Sequence, residues 1–321
     1  MNGYWAGVDL GGTNIVCGIL NDAGRLIASG TMPTEASGGF DHVMDRIERL
    51  VEDVRIKSGI GNDQLNAAGI GTPGLIDPLA GVCELSTNLA WRNRPVAREL
   101  GSRIGVPVFA DNDVRMYTYG EAVAGAGRGC DHVLGITIGT GTAAAFWSEG
   151  RFLYGSGYYA GEIGHLPIPG IRRKCKCGLT GCLETCVSAP GMAKQAKALI
   201  KRGHASLLSE EAAESGIISG QAISAAYDRG DRVAGTVFRQ TARWLAIALS
   251  GLILGLSPDI VVIGGGVAKA GGRLMIPLEE ELRRRVHPDY MKRIKLDTAR
   301  WNEEAGIIGS ALCAKRRLQS S

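Results

Sequence analysis

The chain has 321 residues, 45% of them apolar and 21% charged, so it holds enough hydrophobic material for two domains and too much for a disordered chain. Its 47 glycines follow no short fixed period, which excludes a fibrous repeat. A net charge of +4, with the dense basic runs confined to Arg283 to Arg285, Lys315 to Arg317 and one cysteine-rich loop, gives no electrostatic case for nucleic acid.

The opening predicts a hairpin: a strand over Tyr4 to Asp9, a turn of Gly11-Gly12-Thr13-Asn14, and a strand over Ile15 to Leu20, with a second turn at Asp22-Ala23-Gly24. Glycines after an aspartate bring backbone N–H groups close to a ligand, and Thr13 and Asn14 add short polar groups. That chemistry suits phosphate, although glycine hairpins are also common in plain sheets. Phe40, Val43, Met44, Ile47, Leu50, Val51 and Val54 fall at helical spacing and read as core. A strand over Ala67 to Gly71 ends in Thr72-Pro73-Gly74, and a loop follows with Asn88-Leu89-Ala90-Trp91. Pro107 to Ala110 is a short strand ending in Asp111-Asn112-Asp113, with a helix from about Val114. A carboxylate at the carboxyl end of a strand is well placed for catalysis, and equally able to cap the next helix.

The hairpin then recurs. Gly135 to Trp147, followed by Glu149-Gly150-Arg151, repeats the pattern of Gly7 to Ile19 followed by Ala23-Gly24-Arg25, so the chain has two related halves. Asp9 becomes Thr137 in the second copy, which leaves one carboxylate to face a metal ion.

Between Gly161 and Glu184, residues His165, Cys175, Cys177 and Cys182 stand at spacings where one tetrahedral zinc could hold them. Arg172, Arg173, Lys174 and Lys176 favour deprotonated thiols there. Cys186, one helical turn past Cys182, is an alternative fourth ligand, and a set of buried reduced thiols is the bland reading. No signal-peptide succession opens the chain, so a cytoplasmic protein is expected, with the eight cysteines as metal ligands or inert thiols.

Helices follow over about Pro190 to Arg202, Gln221 to Tyr227 and Arg232 to Gly255. The most apolar run, Trp244 to Leu256, carries two glycines and is shorter than the about 20 residues that span a bilayer, so it reads as a buried helix with no membrane partner. A strand over Asp259 to Ile263 feeds Gly264-Gly265-Gly266, a helix runs from about Gly272 to Val286, and a strand near Ile294 to Leu296 precedes the closing helix, Ala305 to Arg317.

The run Gly-Glu-Ile-Gly-His, followed by Cys-x-Cys-Gly-x-x-Gly-Cys-x-Glu, resembles the signature of the ROK family of bacterial sugar kinases and sugar-responsive repressors, and the likeness extends over essentially the whole chain. The resemblance implies an actin-like (ribonuclease H-like) α/β fold of two duplicated domains around a cleft. Residues 1–118, completed by a C-terminal helix over 304–321, would form the small domain, and 119–303 the large one with the zinc loop and nucleotide contacts. It implies that a structural zinc on His165, Cys175, Cys177 and Cys182 pins a loop presenting Glu162, His165 and Glu184 to a sugar. Asn112 would supply a sugar-binding amide and Asp113 the catalytic base, with Gly74 and Asn88 at the pocket rim. Asp9 would meet magnesium through water. Gly11, Gly12, Thr13, Thr140 and Gly141 would hold the phosphates of ATP, and Gly264, Gly265 and Gly266 would lie beside the adenosine.

The expected reaction is phosphorylation of an unphosphorylated hexose at its 6-hydroxyl, with glucose first and allose, mannose, fructose and N-acetylmannosamine open. A homodimer or homotetramer is the expected assembly. A repressor would need a DNA-reading module before the first glycine turn, for which Asp9 leaves no room. A non-catalytic sugar-binding protein would show damage at Asp9 or Asp113, and both are intact. Two segments depart from the family pattern: Thr142 to Ala145 replace further glycines, and Val114, Arg115 and Met116 add bulk after the base.

Overall fold

In the computed structural model, which describes residues 3–214 and 216–320, the first glycine turn joins β1 (Tyr4–Leu10) to β2 (Asn14–Asn21) as an antiparallel pair. β3 (Leu26–Pro33) extends the hairpin, and α1 (Gly39–Lys57) buries the expected face from Phe40 to Val54. β4 (Leu65–Thr72) returns parallel to β1. Asn88, Leu89 and Ala90 form a turn, as expected, but the segments around them make a small antiparallel sheet of β5 (Leu75–Asp77), β6 (Val82–Ser86) and β7 (Trp91–Arg94), with Trp91 opening its last strand. Strands this short, one of them ending in Arg92-Asn93-Arg94, leave too little alternation to register as strands. α2 (Val96–Ile104), β8 (Val108–Asn112) and α3 (Asp113–Ala124) follow, with β8 parallel to β4.

β9 (His132–Ile138) and β10 (Thr142–Ser148) flank the second glycine turn, and β11 (Arg151–Phe152) follows. After the cysteine-rich loop come α4 (Glu184–Val187), α5 (Ala189–Lys201), α6 (Ser209–Glu214), α7 (Gly220–Asp228) and α8 (Arg232–Leu256). α8 contains the apolar run and buries Leu245 and Leu249 fully. β12 (Ile260–Gly264), α9 (Gly272–Arg283), α10 (Pro288–Met291), β13 (Lys295–Thr298) and α11 (Ala305–Ser320) complete the chain. Among the described residues, no helix is long and apolar enough to cross a membrane.

The duplication is visible in the strand orders. One five-stranded sheet runs β3-β2-β1-β4-β8 and the other β11-β10-β9-β12-β13. Asp9 pairs with Gly71 across β1 and β4, and Thr137 pairs with Gly264 across β9 and β12, so the two residues hold the same place in their copies. This is the duplicated α/β architecture of the actin-like fold.

The chain divides into two compact units, the first of Met1–Cys130, Ala145–Ala160 and Arg300–Ser321, the second of Asp131–Ala144 and Gly161–Ala299. Position 118 lies inside α3, and Ser321, the end of the expected closing segment, lies outside the described residues. α3 stays whole in the first unit because it is pressed against α11 at glycines. A Cβ on Gly309 would lie 1.7 Å from the Met116 carbonyl oxygen, and one on Gly120 would lie 2.2 Å from that of Ala305. α11 approaches the sheet as closely, since a Cβ on Gly7 would lie 1.9 Å from the Ile307 carbonyl oxygen. Backbone cannot yield as a side-chain tip can, so overpacking outweighs the gain of about 1 kcal/mol that alanine offers over glycine within a helix. Gly309→Ala should therefore lower stability by about 2 to 4 kcal/mol in urea denaturation. Gly220→Ala, where nothing stands within 4 Å of the added carbon, should stay within about 1 kcal/mol of the parent. Equal stability of the two variants would contradict the close docking of α11.

Candidate functional site

The expected residues fall into two clusters, one in each unit. In the first, Asp113 is the opening residue of α3 and follows directly from β8. The helix cap is Asn112 rather than Asp113: the Asn112 side-chain oxygen accepts from the backbone N–H of Val114 at 3.0 Å and of Arg115 at 3.2 Å. Its Nδ2 donates to the Gly74 carbonyl at 3.1 Å and to Asp113 Oδ1 at 2.9 Å. Asp113 Oδ1 also accepts from the Val114 N–H at 2.9 Å, so the carboxylate is held by two donors. Gly74 can stand there only as glycine, with φ at 111° and a Cβ position 2.2 Å from the Leu85 carbonyl oxygen.

Asp9 ends the same sheet. A Cβ on Gly306, in the first turn of α11, would lie 2.5 Å from Asp9 Oδ2, so the positive end of that helix lies close to the carboxyl group. Burial, and after it the charge of Asp113, push the Asp9 carboxyl up to about 7. Two neighbouring acids with one so disfavoured as an anion form a donor set that a hydrated magnesium ion would suit.

In the turn itself, the Gly11 N–H donates to the Asn14 carbonyl at 2.9 Å, while Gly12 and Thr13 are exposed. Thr34, fully buried, braces it: its hydroxyl donates to the Gly11 carbonyl at 2.7 Å and its N–H to the Thr13 carbonyl at 2.8 Å. No spacing in the sequence marks Thr34 for this role. Asn88 is exposed beside Gly12, whose added Cβ would lie 3.6 Å away. Trp91 is core, edge-on to Phe40 with ring centroids 4.8 Å apart. The bulk of Val114, Arg115 and Met116 is buried as well.

In the second unit, the ligand atoms of His165, Cys175, Cys177 and Cys182 all lie within 4.8 Å of one another. Three sulfurs and one imidazole nitrogen at that separation are the donor chemistry of a tetrahedral zinc. The loop is folded for it: the Cys175 N–H donates to the Leu179 carbonyl at 2.8 Å and the Gly178 N–H to the Cys175 carbonyl at 3.1 Å, a tight knuckle. Arg173 fastens the loop by donating to the Thr185 carbonyl at 2.9 Å. Cys186 is buried outside the group, its sulfur 3.6 Å from the Thr185 hydroxyl. Burial pushes the Cys175 thiol up to about 12, while the backbone N–H of Leu179 lowers that of Cys177.

The cluster is tied to both acids. Cys175 Sγ donates to Glu184 Oε1 at 2.9 Å. His165 has Nδ1 3.8 Å from Cys175 Sγ and Nε2 3.7 Å from Glu162 Oε2, so one ring faces the thiols with one nitrogen and an acid with the other. A Cβ on Gly141 would lie 3.3 Å from Glu184 Oε2, which sets that acid beside the second glycine turn. Thr140 is exposed at the tip of that turn, whereas Thr142 to Ala145 belong to β10. Gly264 ends β12, Gly266 is exposed with open space at its Cβ position, and a Cβ on Gly265 would lie 2.6 Å from the Ile138 carbonyl oxygen just before the turn.

The raised Asp9 pKa has a consequence for stability. The folded protein keeps a proton on Asp9 that an unfolded chain loses near 3.8, so stability is full below that value and falls as pH rises toward about 7. Asp9→Asn should therefore raise the melting temperature at pH 8 and leave it nearly unchanged below pH 4. A melting-temperature difference independent of pH would contradict the shift.

With this geometry in place, the relatives of the chain can be set beside it. The ROK family model matches residues 5–317. A glucokinase of Thermotoga maritima is 33% identical, with 97% of each chain covered. A glucokinase of Halalkalibacterium halodurans is 32% identical, with 99% of this chain and 96% of that one covered. A crystal structure of a ROK family glucokinase from Streptomyces griseus, in complex with glucose and AMPPNP, superposes with a TM-score of 0.85 at 29% identity, covering 98% of this chain and 100% of the other. The chain belongs to the ROK family.

Proposed function

We propose that this ROK protein is a sugar kinase that transfers the terminal phosphoryl group of ATP to the 6-hydroxyl of a hexose, and that the hexose is glucose. The observation that carries the reading is the placement of Asp113, a carboxylate at the end of a strand, fixed by Asn112 and Val114 beside Asp9. Glucokinases 32% and 33% identical, and a glucokinase structure holding glucose and AMPPNP, support the acceptor and the donor.

Phosphoryl transfer needs alignment and charge compensation more than covalent work from the protein. Asp113 accepts the proton of the attacking hydroxyl, a role that depends on hydrogen-bond reach. Asn112 offers an amide to a neighbouring hydroxyl, and Glu162 and Glu184 accept from others, since ionised carboxylates are pure acceptors. His165 presents its second nitrogen to the same sugar, with Gly74 and Asn88 at the rim. Backbone N–H groups of Gly12, Thr13, Thr140 and Gly141 hold phosphate oxygens, and Gly11, whose N–H is given to the Asn14 carbonyl, shapes the first turn. Gly264, Gly265 and Gly266 leave room for the flat adenosine. Asp9 would hold a magnesium ion, which when bound would supply positive charge at the phosphates. His165, Cys175, Cys177 and Cys182 would hold a structural zinc, which when bound would cross-link the loop that runs between the two acids.

A coupled ADP-release assay over a hexose panel tests the reading. Glucose should give the highest kcat/KM; a value tenfold or more below that for allose, mannose, fructose or N-acetylmannosamine would move the assignment to that sugar and leave the kinase reading intact. Asp113→Asn should lose at least about 100-fold in turnover with glucose binding nearly kept. Near-normal turnover would place the base elsewhere. Cys177→Ser should lose one zinc per chain by elemental analysis and melt at a lower temperature, whereas Cys186→Ser should keep the metal. The opposite pattern would put Cys186 in the site.

A further inference from the structure

Arg115, the third residue of α3, is 4% exposed and is wrapped by Asp111 just before the helix and by Tyr154 and Tyr158 about 40 residues on. One guanidinium nitrogen donates to Asp111 Oδ1 at 2.9 Å, and the other donates to the Tyr158 carbonyl at 2.5 Å. The guanidinium lies 4.8 Å over the Tyr154 ring, and the Tyr154 hydroxyl donates to Asp111 Oδ2 at 2.8 Å. Neutralising Asp111 alone would need only a point charge, and Arg317 already stands 3.4 Å from its other oxygen. The second prong of Arg115 therefore serves the loop. That loop is strained, with Tyr158 at φ 62° following Gly157 at φ 62° and Gly155 at φ 66°. A non-glycine residue persists in this region only where its surroundings over-determine it.

We infer that Arg115 is a positioning residue that locks the Gly155 to Tyr158 turn to the strand end bearing Asn112 and Asp113, and thereby fixes the backbone that runs on to Glu162. The inference rests on the reading of Asp113 and Glu162 as sugar-site residues. The Arg115 guanidinium is buried and engaged by Asp111, the Tyr158 carbonyl and the Tyr154 ring, which suits positioning and not substrate contact. Its backbone N–H holds the Asn112 cap at 3.2 Å while its side chain holds the turn, so a single residue spans both features. A buried ion pair kept for stability alone is the competing account, and such pairs contribute little over apolar packing.

Arg115→Lys separates the two. It keeps a cation beside Asp111, so the fold should survive, but a single ammonium cannot replace the fork to Tyr158. Hydrogen exchange at the amides of residues 156–162 should speed up about tenfold, the worth of one charge-assisted hydrogen bond. KM for glucose should rise by about the same factor with kcat within about threefold, because a loosened acceptor loop costs sugar binding more than chemistry. Tyr154→Phe, which leaves the Arg115 to Tyr158 link intact, should leave that exchange at the parent rate. Unchanged exchange at residues 156–162 in Arg115→Lys, or equal acceleration in Tyr154→Phe, would overturn the inference. If the parent protein phosphorylated no hexose, the kinase reading would fail, and the exchange comparison alone would decide whether Arg115 anchors the turn.

Discussion

Two carboxyl groups, Asp9 and Asp113, stand close enough at the strand ends of one sheet for the charge of one to raise the pKa of the other. The rest of the first unit can be understood as the scaffold that enforces this proximity. Parallel pairing of β1 with β4 and of β4 with β8 brings the two strand ends to one edge. α11 is pressed onto the sheet and onto α3 at glycines, so its first turn meets Asp9. Asn112 caps α3 and fixes the Asp113 carboxylate in the same act. Such an arrangement costs stability in the free protein, and a cation bound there would relieve it, which is how binding sites commonly store unfavourable charge.

The second unit solves a different problem, which is to hold two acids at the ends of a loop with little regular structure. Its answer is the cluster of three thiols and an imidazole, with the knuckle at Cys175 to Gly178 and the Arg173 clamp as supports. Cys175 and His165 each also contact one of the acids. A zinc on these four residues would sit within the structure that places both acids, and by taking Cys175 as a thiolate it would release the hydrogen bond that thiol gives Glu184.

Much of this was legible in the sequence because the informative partners lie near one another along the chain. The hairpin glycines, the face of α1, the Asn112-Asp113 step and the Cys-x-Cys loop all declare themselves within a few residues. What spacing does not reveal is contact across the fold. Tyr154 reaches Asp111 over 43 positions, and Arg317 reaches it over 206. Gly7, Gly69 and Gly120 look like ordinary glycines until α11 is seen to lie against them, and Gly309 of α11 does so until α3 is seen against it. The cap on α3 is Asn112, so Asp113 does not fill that alternative role; Asn and Asp side by side both suit a helix start, and only the hydrogen bonds decide between them. The small sheet of β5, β6 and β7 was missed for want of length.

The most direct test of the account is the titration of Asp9, followed by carboxyl-carbon NMR in the metal-free protein and in its Asp113→Asn variant. Asp9 should titrate near 7 in the parent, and lower in the variant while staying above the ordinary 3.8, because burial is the larger cause of the shift and remains. An Asp9 that titrated near 3.8 in the parent, or that did not respond to the loss of the Asp113 charge, would contradict the pairing of the two acids on which this description of the site depends.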